Sequence, residues 1–330
     1  MNDMNISFSI DDLKIDPAAE TQRIVTALRT QLRSRLRKRG LVLGLSGGID
    51  SSVCAALAAR ALGPERVFCL FMPEYDSDPE SLRLGQEVAT TFGLSSVIED
   101  IGPSLAAMGC YERRDAFIRQ VVPDYGAGWS MKIAIANALT TKAYNISYLV
   151  VRRPDGTVEK HRLPPEVYLG IVAATNMKQR TRKQLEYYHA DRLNYAVIGT
   201  PNRLEYDQGF FVKNGDGAAD VKPIAHLYKS QVYQLAKYLG VPAEIRRRMP
   251  TTDTYSLAQS QEEFYFALPY REMDLCLYGL DHAIPAKKVA CATGLSERQV
   301  GLVWRDIAAK RKVAHYLHLP PQTVEEITAP

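Results

Sequence analysis

Gly44-Leu45-Ser46-Gly47-Gly48-Ile49-Asp50-Ser51 joins a short apolar run, Leu41-Val42-Leu43-Gly44-Leu45, to an apolar stretch over residues 51–62. The first run reads as a buried strand and the second as a helix stopped by Gly63-Pro64. Between them, Ser46, Gly47 and Gly48 make a tight turn whose backbone N–H groups can converge on one anion. The helix start adds the positive end of its dipole. A phosphate at this turn is held mainly by backbone donors, with the Ser46 and Ser51 hydroxyls as further donors. Asp50 would repel a bare phosphate, so its presence implies a divalent cation between the two. The loop carries neither the G-x-x-x-x-G-K-S/T of Walker-type NTPases nor the G-x-G-x-x-G of dinucleotide folds.

Working outward, the pattern alternates. Residues 67–72 read as a second strand, 79–92 as a helix, and Val97-Ile98 opens a third strand. Farther on, 181–193 reads as a helix and 195–199 as another strand. Strands and helices in that order imply an α/β fold, a doubly wound parallel sheet with right-handed crossovers, whose site lies at the carboxyl ends of the strands. Upstream, Ile24, Ala27, Leu28, Leu32 and Leu36 share one face of a helix over 16–38, started by Asp16-Pro17 and ended at Gly40. The basic residues in its last turns, Arg33 to Arg39, read as a solvated face. The stretches 147–151 and 157–163 flank Pro154-Asp155-Gly156, a hairpin inserted into the α/β pattern at about 147–167. The helical C-terminal part, about 285–330, contains a stretch resembling a helix-turn-helix, which reads more simply as two packed core helices. A single domain over 1–330 accounts for the whole pattern.

Composition removes other classes. The chain has 330 residues, 46% of them hydrophobic, with 41 basic and 37 acidic side chains for a net charge of +4. That is an ordinary globular composition. No apolar run is long enough for a transmembrane helix, and the polar start lacks a signal-peptide core, so no membrane partner is expected. Five cysteines without C-x-x-C spacing argue against a zinc site or a disulfide scaffold and suit a reducing, cytoplasmic location. His315 and His318 lack a third ligand at metal spacing.

The strand–SGGxDS–helix context resembles the pyrophosphate loop of the N-type ATP pyrophosphatases, of the adenine nucleotide alpha hydrolase-like fold. That resemblance implies splitting of ATP between its α and β phosphates. A second region narrows it. Asn176-Met177-Lys178-Gln179-Arg180-Thr181-Arg182-Lys183 concentrates cations, and Gly199-Thr200-Pro201-Asn202-Arg203-Leu204-Glu205 follows the strand at 195–199. Then come Gly209-Phe210-Phe211-Val212-Lys213-Asn214-Gly215-Asp216-Gly217-Ala218-Ala219-Asp220 and Pro250-Thr251-Thr252-Asp253. In this order the motifs resemble ammonia-dependent NAD synthetase, strongly from Gly44 to about Tyr270.

The resemblance implies the following roles. Gly44, Ser46, Gly47, Gly48, Asp50 and Ser51 hold the ATP phosphates, and Thr200, Lys229 and Thr251 make further ATP contacts. Asp50 and Glu205 are the magnesium (Mg2+) ligands. Arg180, Lys213 and Asp220 bind deamido-NAD. Asp50 and Lys229 carry the catalysis, electrostatically rather than covalently. The cations from Lys178 to Lys183, with Lys213 and Lys229, suit phosphorylated small molecules rather than long nucleic acid. The family's homodimer is expected. Ammonia is expected free, or from a separate glutaminase subunit, because the chain enters the ATP loop after one helix.

The sequence also departs from the family pattern. Ile49 stands where many relatives carry Gln, and Ser260-Gln261-Glu262-Glu263 stands where they carry an Asp-Glu pair. A C-terminal His-Lys pair has only Lys310-Arg311-Lys312 as its nearest counterpart. These departures touch the surface that reads the carboxylate more than the ATP chemistry. They leave three rival readings, namely a paralogous amide ligase for another carboxylate, a tRNA-modifying pyrophosphatase and a non-catalytic ATP-binding protein.

Overall fold

The computed structural model describes residues 8–135, 147–251, 254–266 and 268–325. Thr252 and Asp253 of the Pro250-to-Asp253 motif lie outside these, as do the side chains of Glu262 and Glu263.

Strands β1 (Leu41–Gly44), β2 (Val67–Phe71) and β3 (Ser95–Ile98) belong to one parallel sheet. Three further strands, β4 (Ser130–Ile135), β5 (Ser147–Arg152) and β6 (Val158–Arg162), form a separate antiparallel sheet. Strand β7 (Ala196–Val197) returns to the first, whose order is β3-β2-β1-β7. Leu41 pairs with Val67 on one side and with Ala196 on the other, so β1 is central. It is apolar throughout because both of its faces are covered. Leu41 and Leu43 pack under the helices Pro17–Thr30, Ile49–Leu62, Pro79–Thr91 and Lys229–Leu239. Val42 faces the opposite layer, with Ile101, Leu105 and Ala190. The chain leaves β1 toward β2, while β7 lies on β1's other side. This makes the carboxyl end of β1, where Gly44 sits, a topological switch point with a crevice for a ligand.

Two expectations need correction. The helix expected over 181–193 is the second half of a 29-residue helix, Pro165–Leu193. Its first half buries Val167 and Ile171 against the antiparallel sheet, and its second half buries Ala190 against the parallel one. Lys178, Lys183, Glu186 and His189 are also buried along it, which erases the one-sided apolar stripe from which a helix is read. The expected hairpin exists, with Gly156 at φ 89° in its turn, but it is not a lone insertion. Strand β4 pairs antiparallel with β5 from Ser130↔Arg152 to Ile135↔Ser147.

The C-terminal helices Ala286–Thr293 and Glu297–His318, joined through Gly294, bury Val289, Val300, Val303 and Ile307 against Leu204, Met273 and Leu277. They are core helices. Among the described residues no helix is long and apolar enough to cross a membrane. All five cysteines are free, and only Cys291 is exposed.

Candidate active site

The turn after β1 is built for an anion. Gly47 has φ 71°, which L side chains rarely adopt, and a Cβ there would lie 2.5 Å from the Ser81 carbonyl oxygen. Gly48 caps the helix Ile49–Leu62 without a side-chain hydrogen bond, so the first N–H groups of that helix keep their donor capacity. The two serines stiffen the turn. Their hydroxyls lie 3.1 Å apart, the Gly48 N–H donates to Ser46 Oγ at 3.3 Å, and Ser51 Oγ donates to the Gly48 carbonyl at 3.1 Å.

Asp50, in the first turn of that helix, pairs with Lys229 at the start of the helix Lys229–Leu239. Asn202 Nδ2 donates to Asp50 Oδ1 at 3.2 Å. Asn202 also forms a capping box with Glu205, its N–H donating to Glu205 Oε2 at 3.1 Å and its Oδ1 accepting from the Glu205 N–H at 3.2 Å. Gln261 Nε2 donates to Glu205 Oε1 at 3.0 Å. Burial and the Asp50 charge push the Glu205 carboxyl up to about 7. Burial works to lower the Lys229 ammonium, but the charges of Asp50 and Glu205 outweigh it, and its pKa is raised. Lys229 is therefore a fixed cation facing two carboxylates, and the trio carries one negative charge too many when both carboxylates ionise.

The trio opens into a cavity of about 1190 Å³. Its wall includes Gly44, Ser46, Gly47, Gly48, Asp50, Ser51, Thr200, Glu205, Lys229 and Thr251, all expected at the ATP and metal sites. The opposite chemistry comes from Ile133, Leu163, Tyr168, Leu169 and Val172, an apolar stretch contributed by the antiparallel sheet and the long helix. The volume exceeds that of most single-ligand pockets, as a site for two substrates requires.

Arg180, Lys213 and Asp220 do not line this cavity. Arg180 Nε donates to the Lys213 carbonyl at 3.3 Å. Lys213 Nζ donates to the carbonyls of Tyr316 at 2.9 Å and Leu319 at 3.2 Å, and so ties down the end of the last helix. Asp220 Oδ2 accepts from the Val197 N–H at 2.7 Å. The cations expected to suit phosphorylated small molecules do not all reach the cavity. Lys178 is buried against Glu74 and Asp76, and Lys183 against Glu186 at 2.5 Å. Between Lys178 and Lys183 it is Arg182 that lines the cavity, with Lys229 and, from the last helix, Lys310.

Sequence reasoning gave no role to Asn202 or Gln261. Asn202 was within reach, since Asn followed three residues later by Glu is a capping signature. Gln261 stood out only as part of a departure from the family pattern, and its bond to Glu205 could not be read because the two lie 56 residues apart.

The NAD synthase family model matches residues 20–126 and 130–318. The chain is 73% identical over 320 residues to the NH(3)-dependent NAD(+) synthetase of Rhizobium meliloti (strain 1021), covering 97% of this chain and 96% of that one. It is 36% identical over 236 residues to the protein of the same name from Thermotoga maritima, covering 72% and 78%. Among solved structures, NMN synthetase from Francisella tularensis superposes with a TM-score of 0.64 at 24% identity, over 94% of this chain and 99% of that one. NH3-dependent NAD synthetase from Campylobacter jejuni gives 0.59 at 23% identity, over 94% and 100%. At those identities the two structures establish the fold. With the sequence matches spanning nearly its whole length, this chain belongs to the NAD synthase family.

Proposed function

We propose that this chain amidates the nicotinate carboxylate of deamido-NAD with ammonia, using ATP and releasing AMP and pyrophosphate. The observation that carries the reading is the meeting of the glycine turn with Asp50, Lys229 and Glu205 in the wall of one cavity large enough for two substrates. A carboxylate oxygen of the substrate attacks the α-phosphorus of ATP, and the bond from that phosphorus to the bridging oxygen breaks, with pyrophosphate leaving. The ammonia nitrogen then forms a bond to the acyl carbon, AMP leaves, and one proton departs from nitrogen.

The chain's own groups hold these charges in place. The Gly47 and Gly48 turn and the helix start behind it give backbone donors to the departing phosphates. Ser46 and Ser51 add hydroxyls, and Thr200 and Thr251, which line the same cavity, make the further contacts to ATP. Lys229 supplies a positive charge beside the leaving group, held by Asp50 and fixed in its protonated form. Asp50 and Glu205 would hold a magnesium ion. They are hard oxygen donors with one ammonium between them, and burial, with the Asp50 charge second, raises the Glu205 carboxyl, a cost that a cation would relieve. When bound, magnesium neutralises charge on the polyphosphate. Arg180, Lys213 and Asp220, exposed or half-buried outside the cavity wall, are the proposed contacts for the parts of the dinucleotide that extend beyond it. A homodimer and free ammonia belong to the same reading.

Pyrophosphate release measured with a panel of carboxylates tests it. Release should require deamido-NAD, ammonia and magnesium together. Turnover of nicotinate mononucleotide but not deamido-NAD would overturn the acyl substrate, and release driven by tRNA alone would overturn the reaction class. Sedimentation velocity measures the assembly.

A further inference from the structure

Lys178 does not line the cavity, yet it is bonded to residues on two stretches of the wall. Its helix turns Thr175, Gln179 and Arg182 to the cavity, and Lys178 sits one step round from that stripe. The ammonium donates to Glu74 Oε1 at 2.9 Å, Asp76 Oδ2 at 2.6 Å and the Thr254 carbonyl at 3.0 Å, which uses its donor capacity in full. Glu74 lies in the segment that leaves β2 and lines the cavity together with Ser77 and Asp78. Thr254 and Tyr255 line it from a segment far along the chain. Neighbouring bonds close the network. Tyr111 Oη donates to Glu74 Oε2 at 2.8 Å, and Arg114 donates to Asp76 at 2.5 Å and to Asp115 at 2.8 Å.

Lys178 is 1% exposed. A buried ion cluster of this kind adds little net stability over apolar residues of similar volume, because desolvation offsets the attraction. What it does supply is direction: bonds that fix where two loops stand relative to one helix. The residues that flank the first loop on either side, Met72 and Ser81, abut the phosphate turn. A Cβ on Gly44 would meet the Met72 side chain at 2.9 Å, and one on Gly47 would meet the Ser81 carbonyl at 2.5 Å.

We propose that Lys178 is a positioning residue for ATP, holding the 74–78 loop and the Thr254–Tyr255 segment in the arrangement that shapes the nucleotide end of the cavity, without touching the nucleotide. The proposal rests on the assignment of ATP to this cavity, so its test reads ATP binding directly. In Lys178→Met, ATP affinity measured by calorimetry without acyl substrate should fall about tenfold or more, and KM for ATP should rise in parallel. KM for deamido-NAD should stay within about twofold. The double variant Lys178→Met/Asp76→Asn removes a carboxylate along with the ammonium and leaves the cavity-lining Glu74 in place. It should regain thermal stability lost in the single variant while ATP affinity stays low. A double variant that regains both would show that Lys178 only balances charge, and would overturn the proposal. So would a folded Lys178→Met that binds ATP as the wild type does. Wild-type protein that binds no ATP would sink the functional reading itself, and the positioning role with it.

Discussion

Lys178 and Lys229 are both about 1% exposed, and each faces two carboxylates, yet the two sites are built to different ends. Around Lys178 three carboxylates, Glu74, Asp76 and Asp115, meet two cations, the lysine and Arg114, and a backbone carbonyl takes the last ammonium proton. Around Lys229 the carboxylates Asp50 and Glu205 have that one ammonium between them, and the neutral side chains of Asn202 and Gln261 complete their hydrogen bonds. The consequence shows in Glu205, pushed up to about 7 by burial and by Asp50. An ammonium whose three protons are all taken by protein groups fixes geometry. Two carboxylates that share one ammonium in the wall of the cavity are poised to take a cation or to stabilise charge on a ligand.

That contrast is broken most severely at Asp50. Asp50→Asn keeps the shape and the Asn202 contact but removes the charge that holds Lys229 and, in the proposed reading, a metal. Steady-state pyrophosphate release should drop by about three orders of magnitude or more, with the melting temperature within a few degrees of wild type. A variant retaining even a tenth of the activity would remove Asp50 from the metal site. Lys229→Met comes next. It should lower kcat about 10²-fold, the scale of losing one preorganised charge partner, while moving KM for ATP much less. A KM-only effect like that expected for Lys178→Met would erase the distinction between the two lysines.

The parallel sheet and the phosphate turn were legible because their signals are local. A strand buried on both faces reads as an unbroken apolar run, and the turn's glycines and serines lie within eight residues of one another. The Asp50–Lys229 pair was nameable only through resemblance, since 179 residues separate its members. The Lys178 network was misread. In sequence it looks like one end of a cationic patch, and only burial against Glu74 and Asp76 shows that its charge is already matched. Strand β4 was missed for a related reason. Ser130–Ile135 has its partner beyond residue 146, and its alternation means nothing until β5 is placed beside it.

Gly47→Ala tests the turn with a smaller change. Its φ of 71° disfavours a side chain, and the added methyl would meet the Ser81 carbonyl at 2.5 Å, so the turn or the helix Pro79–Thr91 must shift. The expected loss is about 1–3 kcal/mol in stability. A roughly tenfold weaker ATP affinity should accompany it, because the donors of the turn no longer converge. Gly93→Ala is the control. It also has positive φ, at 65°, but with no atom within 4 Å of the new methyl, so it should lower the melting temperature without touching ATP binding.

The smallest expected effect concerns Asp274, which supports Lys229 from behind. It is fully buried, and its oxygens accept from the N–H groups of Lys229 at 3.1 Å and Ser230 at 2.7 Å, capping the helix that carries Lys229. Burial outweighs those bonds and pushes its carboxyl up to about 7 from an ordinary 3.8. The folded chain therefore keeps a proton that the unfolded chain releases between those values. Stability from this group is fully present below the lower value and is lost as pH rises through the upper one. Asp274 alone lowers stability by at most ~1.4 kcal/mol per pH unit in that window, roughly 2 °C in melting temperature for a chain of this size. Asp274→Asn keeps an acceptor for the helix start but cannot titrate, so its melting temperature should fall less steeply between pH 5 and about pH 7 than that of the wild type. Parallel slopes for the two proteins would mean that Asp274 is ionised throughout, and that the Lys229 helix begins on a charged cap rather than a neutral one.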